Sequence, residues 1–386
     1  IDTKDGEYGV LFVEGTQLSE EFCQANNLIR TKGLDGKYSG GFFENNRKVR
    51  TLRLRGIKSE AFWCPISYLS FTGFDIQKLD IGQQFDKLNG FEICNRYITQ
   101  ATKNQFNGQK KISLKRSETQ YLARHPDTAQ YRRSFDLIQA NDTIIVTSKS
   151  HGSSQRICHG KETRKLKWYE KFAKCLGLKI DEYEWTYTTG TRNVIISDDT
   201  NGFYSNEMRM KASRFFEGKL PKGFSVFFEV VGFDGETPIM PRVNSECLKL
   251  QDFTKRYGKT ITYHYNCKPG ELDVLVYRIA FTCEDGHSFD LPWNITKELC
   301  KKWNVKHVYE HDTFVFDGDY EKLTNRLENL VDMDDPIGLT HPQEGICIRF
   351  QRGLDSKILK LKSFNFLQLE HGAKDSEEYT DIEEIS

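Results

Sequence analysis

The sequence predicts an α+β protein in which a small N-terminal β-barrel precedes a larger mixed α/β domain with antiparallel sheets. The chain has 386 residues, more than one typical domain contains, so two domains are expected. Residues 1–100 show short strand patterns separated by glycine-containing turns. From about residue 135, apolar strand patterns alternate with segments of helical periodicity.

The N-terminal part contains one helix signal among its strands. Ser19 followed by two glutamates predicts a short capped helix. The alternation in residues 51–55 puts two leucines on one face and Arg53 and Arg55 on the other. A barrel with a basic outer strand fits this pattern. The predicted strands are residues 8–13, 48–57 and 91–98.

Charge divides the rest of the chain. The stretch from Lys103 to Arg133 carries eight cationic residues against two acidic ones, and residues 370–386 carry seven acidic residues against one lysine. The basic stretch is read either as a phosphate-contacting segment or as a solvated linker. The predicted division is a barrel over 1–100, a basic linker over 101–134, the larger domain over 135–370 and an acidic tail over 371–386.

In the larger domain, apolar runs and helical periodicity define the elements. No repeat of fixed period occurs, and neither G-x-G-x-x-G nor the P-loop pattern is present, which argues against solenoids, a Rossmann domain and a P-loop fold. The predicted strands are 142–148, 185–196, 224–231, 274–281, 345–350 and 358–362, and the predicted helices are 162–176, 204–216, 244–257, 296–303 and 320–330.

Composition narrows the class of protein. The hydrophobic fraction of 38% is that of a folded chain, and the longest apolar runs, such as residues 224–231, are too short to cross a bilayer. The ten cysteines form no C-x-x-C pair, so we expect reduced thiols, no structural zinc and a cytoplasmic location. No leader pattern is found, and because the chain begins at Ile1 we expect a trimmed N-terminus.

Lys149 is the first candidate for chemistry. It ends an apolar strand and is followed by His151 and Gly152. A lysine fixed at a strand end becomes a nucleophile when its pKa is lowered by desolvation or by neighbouring cations. Alone, this pattern is equally that of a loop lysine.

Further polar residues lie on or beside apolar strands later in the chain. Arginine or glutamate on a strand often points to solvent, and core packing is the simpler reading of a lone tyrosine. Their fixed order along the chain is more specific than any member alone. They are Arg192, Glu229, Tyr277, Glu344 and the pair Lys360 and Lys362.

This ordered set resembles the six-motif pattern of the covalent nucleotidyltransferases, the superfamily of ATP-dependent polynucleotide ligases and mRNA capping enzymes. In chain order the matching residues are Lys149 to Gly152 for motif I, Arg192 for motif Ia, Glu229 for motif III, Tyr277 for motif IIIa, Glu344 for motif IV, and Lys360 with Lys362 for motif V.

Several details are similar to the RNA ligase branch. His151 stands where DNA ligases and capping enzymes carry aspartate, and Ser363, Asn365 and Phe366 follow the second motif V lysine. The N-terminal signatures Leu54-Arg55-Gly56 and Leu88-Asn89-Gly90 resemble the RNA ligase 5 family of the Deinococcus and Naegleria type, in which an OB domain precedes an ATP-grasp-like ligase adenylation domain.

The sequence also departs from the pattern. Relatives commonly have glutamate before the nucleophile, where it helps to hold the adenine, and this chain has Ser148. After Lys362 only 24 residues remain, too few for the C-terminal OB domain of DNA ligases and capping enzymes. The first strand or two of the N-terminal OB barrel are also missing from the pattern.

The resemblance implies an ATP-dependent RNA ligase that seals 3′-OH and 5′-phosphate RNA ends, such as nicks, through a lysyl-AMP and an RNA-adenylate. It implies ATP, Mg²⁺ or Mn²⁺, and RNA or an RNA/DNA hybrid as partners, with no membrane and a monomeric state. Two alternatives stay open: a catalytically inactive RNA- or nucleotide-binding protein, and a DNA ligase or capping-type enzyme.

The resemblance also implies a role for each residue. Lys149 would carry AMP, and Lys360 and Lys362 would stabilise the phosphates. Glu344 would hold the metal ion, Glu229 the ribose and Tyr277 the adenine. His151 and Gly152 would complete the nucleotide site, Arg192 would bind both nucleotide and RNA phosphate, and Arg53 and Arg55 would bind RNA.

Overall fold

The computed structural model describes residues 4, 6–32, 38–54, 57–99, 121–125, 128–192, 195–196, 206–248 and 251–375. The chain divides into two compact units. The first unit comprises Ile1–Asn104 with Glu370–Thr380, and the second comprises Gln105–Leu369 with Asp381–Ser386. Among the described residues, no helix combines the length and the apolar character needed to cross a membrane.

The first unit is built from short antiparallel pairs around an apolar core that includes Phe12, Leu18 and Phe22. Its strands pair as β1 with β7, β2 with β10, β3 with β4, β5 with β6 and β8 with β9. The elements are β1 Gly9–Val13, β2 Thr16–Leu18, α1 Glu20–Ala25, β3 Arg30–Lys32, β4 Tyr38–Gly40, β5 Leu52–Leu54, β6 Ile57–Ser59, β7 Ala61–Pro65, β8 Lys87–Leu88, β9 Phe91–Glu92 and β10 Cys94–Arg96.

Three sequence predictions for this unit can be compared with the structure. The capped helix is confirmed, because the Ser19 hydroxyl accepts a hydrogen bond of 3.1 Å from the N–H of Phe22. The single strand predicted over 48–57 is instead the short strand β5 paired with β6. Within the part of this unit that the structure describes, no sheet closes into the expected barrel.

The second unit is a mixed α/β structure with two sheets. Its strands are β11 Ala129–Gln130, β12 Thr143–Lys149, β13 Ser153–Thr163, β14 Tyr183–Gly190, β15 Phe224–Asp234, β16 Thr237–Pro238, β17 Val243–Asn244, β18 Thr260–Ile261, β19 Leu272–Thr282, β20 Ser288–Asp290, β21 Lys306–His307, β22 Glu310–Val315, β23 Gly345–Arg352 and β24 Asp355–Lys362. Its helices are α2 Tyr131–Ser134, α3 Trp168–Cys175, α4 Asn206–Ser213, α5 Gln251–Tyr257, α6 Trp293–Trp303, α7 Tyr320–Val331 and α8 Phe364–Asp375, which begins in this unit.

The two sheets are mainly antiparallel. The five-stranded sheet has the order β11-β24-β23-β12-β22, and the seven-stranded sheet has the order β14-β13-β15-β19-β20, with β16 and β21 attached. Parallel pairing occurs between β11 and β24 and between β19 and β21. The small pair β17 and β18 lies outside both sheets.

One face of the five-stranded sheet is packed by helix α7. Leu323 and Leu327 of this helix join Ile346 and Ile348 of β23 in a buried cluster. Successive side chains of a strand point to opposite faces. The residues that alternate with these isoleucines therefore lie on the other face, where the candidate site is found.

The helix predicted over 162–176 and the predicted linker differ from the structure, and strand β13 was not predicted. Residues 162–163, predicted as the start of a helix, end strand β13, and the helix there is α3. Strand β13 was missed because its buried positions include Ser153, Gln155 and Arg156 rather than an apolar alternation. The expected linker also differs over its described part, since residues 121–123 are buried in the second unit.

Candidate active site

A cleft in the second unit is lined by residues of both sheets. Its empty space, counted together with the solvent at its open mouth, is about 1030 Å³. Ser148, Lys149, Cys347, Arg349, Ile358 and Lys360 line it from the five-stranded sheet, Ser153, Ser154, Glu229, Tyr277 and Arg278 from the seven-stranded sheet, and His125, Thr128, Ser150, Gly152, Arg192, Met240 and Val308 from other segments.

Strand register brings two of the predicted lysines together. Lys149 of β12 is the partner of Gly345 in β23, and Gly345 is the partner of Lys362 in β24. Glu344 precedes Gly345 and is 1% exposed at its side chain. Three neighbouring strands therefore place two cations beside one buried carboxylate.

The carboxylate of Glu344 is the centre of this cluster. It accepts a hydrogen bond from Nζ of Lys149. Nζ of Lys362 lies 3.9 Å from Glu344 Oε1, and Nδ1 of His151 lies 3.5 Å from Glu344 Oε2. A buried carboxylate needs such partners because desolvation disfavours its charge.

The turn after Lys149 is fixed by contacts from outside the motif set. The backbone N–H of His151 donates to the hydroxyl of Tyr265 at 2.6 Å. The imidazole packs edge-on against Tyr263 and Phe366, with ring centroids 4.7 and 4.8 Å away. These contacts support the turn that follows Lys149.

Glycine is required at two positions of this wall by close backbone approach. A Cβ on Gly152 would lie 2.7 Å from the carbonyl oxygen of Val230, and a Cβ on Gly345 would lie 2.3 Å from that of Leu361. Both distances are shorter than real Cβ contacts. The glycines at these two positions therefore have a steric basis in this fold.

Glu229 and Tyr277 form part of the opposite wall. Glu229 of β15 is the register partner of Ser154 in β13. The pairing of β15 with β19 shifts between Phe227 and Phe228, and Tyr277 lies opposite this irregularity. Burial, and secondly the nearby Glu229 carboxylate, raise the pKa of Tyr277, so its phenol stays protonated at neutral pH.

A segment that sequence reasoning treated as linker also reaches the cleft. His125, the last residue of the segment 121–125, lines the cleft. Its Nε2 atom lies 2.8 Å from the hydroxyl oxygen of Tyr277. The same hydroxyl is 2.9 Å from Ser154 Oγ. The signal was weak because residues 121–125 show no periodicity and lie within a run of basic charge.

Arg349 is a second residue that sequence reasoning missed. It is 9% exposed, its guanidinium stacks 4.7 Å from the centroid of Trp293, and Nε donates to Thr147 Oγ1 at 3.0 Å. Burial lowers its pKa. A signal existed in the sequence, because Arg349 interrupts an apolar strand in the same way as Glu229.

The structure thus brings most of the predicted residues to one place. Lys149, Gly152, Arg192, Glu229, Tyr277 and Lys360 line the cleft, and His151, Glu344 and Lys362 join Lys149. Arg53 belongs to the first unit, where it is exposed on β5 opposite Lys58. Arg55 is outside the described residues.

Ser148 occupies the position where a glutamate was expected from the resemblance. Its hydroxyl lies 2.9 Å from Nε2 of His311 in β22. Burial lowers the pKa of His311. The residue is therefore engaged with a neighbouring strand, and this contact accounts for a small hydroxyl at a site only 2% exposed.

The donor set limits which metal could be held. Among the described residues, no group of three or more His, Cys, Asp or Glu side chains could hold an ion. In the cluster around Lys149, Glu344 offers one buried carboxylate. This arrangement fits a Mg²⁺ or Mn²⁺ ion that keeps water ligands and also binds phosphate oxygens, and it does not fit a structural metal.

Comparison with known proteins gives a likeness of fold. No family model matches the chain, and no curated protein matches it. A solved structure of a Naegleria gruberi RNA ligase variant with ATP and Mn aligns at a TM-score of 0.53 and 15% identity, over 96% of this chain and 89% of that chain.

Further structures of the same ligase agree. Another variant with ATP and Mn gives a TM-score of 0.53 at 15% identity over 95% of this chain and 89% of that one. The ligase with PPi gives 0.51 at 16% identity, also over 95% and 89%. The chain shares a mixed α/β fold with these proteins.

Proposed function

We propose that the protein is an ATP-dependent RNA ligase that acts through a covalent lysyl-AMP. The observation that carries the proposal is the position of Lys149, which lines the cleft with its amine against buried Glu344 and near Lys362. Shared fold with an RNA ligase solved with ATP, Mn and PPi supports it.

The first step forms a bond between Lys149 and the α-phosphate of ATP. Neutral Nζ attacks phosphorus, the N–P bond forms, the bond to the β-phosphate oxygen breaks, and pyrophosphate leaves with its electron pair. Glu344 already accepts the hydrogen bond from Nζ. Its carboxylate is therefore placed to take up the proton that Lys149 loses.

Lys360 and Lys362 would stabilise the charge of the transferring phosphate. They alternate with Leu361 on β24, so they share the face on which Lys360 lines the cleft. Cations fixed near the site where negative charge develops lower the barrier without reorganising solvent. When bound near Glu344, a Mg²⁺ or Mn²⁺ ion would neutralise phosphate oxygens.

The opposite wall would position the nucleoside. Glu229 would accept a hydrogen bond from a ribose hydroxyl, and the ring of Tyr277 would stack on the adenine. Arg349 lines the cleft, and its guanidinium group contacts Trp293 and Thr147. It would donate a hydrogen bond to the edge of the base. His151 and Gly152 would hold the turn that carries the reactive lysine.

In the second step, an oxygen of an RNA 5′-phosphate attacks the AMP phosphorus and Lys149 leaves. Arg192 would hold that 5′-phosphate through charge-assisted hydrogen bonds. In the third step, an RNA 3′-OH attacks the activated 5′-phosphate, a phosphodiester forms and AMP leaves. The substrate we propose is RNA with 3′-OH and 5′-phosphate ends, as in a nick.

The first unit would supply RNA contacts as an OB-type module belonging to an RNA ligase 5-like organisation. Exposed Arg53 and its strand neighbour Lys58 provide cations for RNA phosphates. Arg55 is proposed to join them. The working division is residues 1–100 for this module, 135–370 for the adenylylation domain and 371–386 for the tail of a monomeric enzyme. The buried residues 121–123 of the predicted linker are counted with the adenylylation domain.

The test is covalent labelling. The protein, freed of any bound AMP, is incubated with α-labelled ATP and Mg²⁺ or Mn²⁺ and resolved on a denaturing gel. We expect a labelled band that disappears in Lys149→Ala. Lys357→Ala, which removes an exposed lysine paired with Asp355 on the same sheet, should leave the band unchanged.

The outcomes separate the alternatives. A wild-type chain that stays unlabelled with both metals would indicate a nucleotide- or RNA-binding protein without ligase chemistry. If the chain is labelled, comparing the labelling obtained with ATP, GTP and NAD distinguishes an ATP-dependent ligase from a capping-type enzyme. Sealing of nicked RNA compared with nicked DNA tests the substrate.

A further inference from the structure

The segment comprising residues 121–125, which we name the strap, is a built part of the second unit. The Ser225 hydroxyl donates to the carbonyl oxygen of Tyr121 at 2.9 Å and accepts from the N–H of Ala123 at 3.3 Å. Tyr121, Leu122 and Ala123 are each less than 10% exposed. The path of the backbone that leads to His125 is therefore fixed by the sheet beneath it.

Two arginines tie the strap to the cleft. Arg156 donates from Nη1 to the carbonyl oxygen of Ala123 at 2.7 Å and from Nε to that of Thr191 at 3.0 Å. Arg278, which is ion-paired with Asp290, donates to the carbonyl oxygen of Arg124 at 2.9 Å. Arg156 thus joins the strap to the residue preceding Arg192.

His125 lies at the end of this supported path and contacts Tyr277. Its Nε2 is 2.8 Å from the Tyr277 hydroxyl, which is also 2.9 Å from Ser154 Oγ. A protonated phenol can donate to one of these partners and accept from the other. With both contacts made, the aromatic ring of Tyr277 is held in one orientation at the wall of the cleft.

We propose that His125 is a specificity-determining residue of the cleft, which holds the Tyr277 ring in position for the base of the nucleotide. The inference rests on the proposed function and extends it to a segment outside the motif set. His125 acts through Tyr277, so it is a positioning residue. Its removal should weaken recognition of the base and leave recognition of the phosphates unchanged.

The experiment compares two ligands by equilibrium titration of the full chain. The non-hydrolysable analogue α,β-methylene-ATP contains the base, and inorganic tripolyphosphate does not. We expect His125→Ala to weaken binding of the analogue about tenfold, the effect of losing one buried hydrogen bond, with tripolyphosphate binding changed less than about twofold. His125→Gln, which keeps a donor and an acceptor, should restore most of the affinity.

Coupling to Tyr277 is tested by a double-mutant cycle. Tyr277→Phe alone should weaken the analogue about as much as His125→Ala, and the double variant should be no weaker than either. His287→Ala, at a histidine that is 86% exposed at its side chain, is the matched control and should change nothing. Additive losses, or equal losses for tripolyphosphate, would overturn the inference.

The binding assay does not depend on ligase chemistry, so the two proposals can fail separately. A chain that binds the analogue as expected but forms no lysyl-AMP would reject the ligase proposal and retain the role of His125. If the wild type forms lysyl-AMP and His125→Ala binds the analogue with full affinity, the ligase proposal is retained and the role of His125 is rejected. Failure of the wild type to bind the analogue would overturn the role of His125.

Discussion

The two walls of the cleft are built on different principles. The wall from the five-stranded sheet carries charged groups, and we call it the charged wall. Its strands β12, β23 and β24 are neighbours and bring together Lys149, Glu344 and Lys362. The opposite wall gathers hydrogen-bonding groups around Tyr277, whose partners come from β13 and from the strap. The first wall suits a phosphate that changes charge during reaction, and the second suits a base that only needs to be held.

The largest effect should come from breaking the charged wall at its centre. Glu344→Gln keeps an oxygen that can accept from Lys149 but removes the charge and the proton acceptor. We expect the rate of lysyl-AMP formation to fall by a factor on the order of 10² to 10³. Single-turnover labelling measures this rate.

Glu344→Ala shows whether the same carboxylate also supports the fold. Because Glu344 is 1% exposed and bonded to Lys149, its loss should lower the free energy of unfolding by about 1–3 kcal/mol. Urea denaturation measures this change. A Glu344→Gln variant with undiminished labelling would show that the charged wall does not work as described.

A smaller effect is expected at Arg349, which lies on the charged sheet but would contact the base. Arg349→Met removes a guanidinium group whose pKa is lowered by burial. We expect affinity for ATP to fall about tenfold, while the free energy of unfolding stays level or rises by about 1 kcal/mol, since replacing buried charge with an apolar side chain is often stabilising.

Arg352→Met is the matched control on the same strand. Arg352 is bonded to Asp142, whose pKa it lowers, and lies outside the cleft lining. This variant should keep its affinity for ATP and lose a little stability. A loss of stability in Arg349→Met without a loss of affinity would mean that Arg349 serves packing alone.

The smallest effect concerns Tyr277 of the opposite wall at high pH. The pKa of Tyr277 is raised by burial and by Glu229. Above about pH 10 the unfolded chain releases this phenolic proton while the folded protein keeps it, so stability falls as the pH rises. Tyr277→Phe should flatten this decline by up to about 1 kcal/mol at pH 11.

Urea denaturation at several pH values between 8 and 11 measures this decline. Tyr8→Phe is the control, because Tyr8 is 67% exposed. An identical slope in wild type and Tyr277→Phe would show that the phenol of Tyr277 is not shielded from ionisation.

The charged wall was accessible to sequence reasoning because its residues lie on strands that the apolar pattern predicts. Lys149, Glu344 and Lys362 flank or end β12, β23 and β24, and the type and order of these residues carry the signal. Their separation in the sequence did not predict that these side chains meet in space, because the pairing of strands that are distant in the sequence is set by the tertiary structure.

The opposite wall, around Tyr277, could be predicted from the sequence only in part. Glu229 and Tyr277 were identified on β15 and β19, but His125 and Ser154 were not. The position of His125 depends on hydrogen bonds that Ser225 and Arg156 donate to the backbone of the strap, and these bonds leave no periodic pattern in residues 121–125. Strand β13 was hidden in the same way, because buried polar residues replace the apolar alternation.

The order of the strands also determines when the cleft can first form. Lys149 and Glu344 are 195 residues apart in the chain, and both strand neighbours of β12 follow it by more than 150 residues. At a synthesis rate of 5–20 residues per second, β12 waits roughly 10–40 s for its last partner. The sheet therefore cannot be completed until β23 and β24 have been synthesised, and a ribosome that stalls before β23 yields a fragment that contains Lys149 but lacks Glu344.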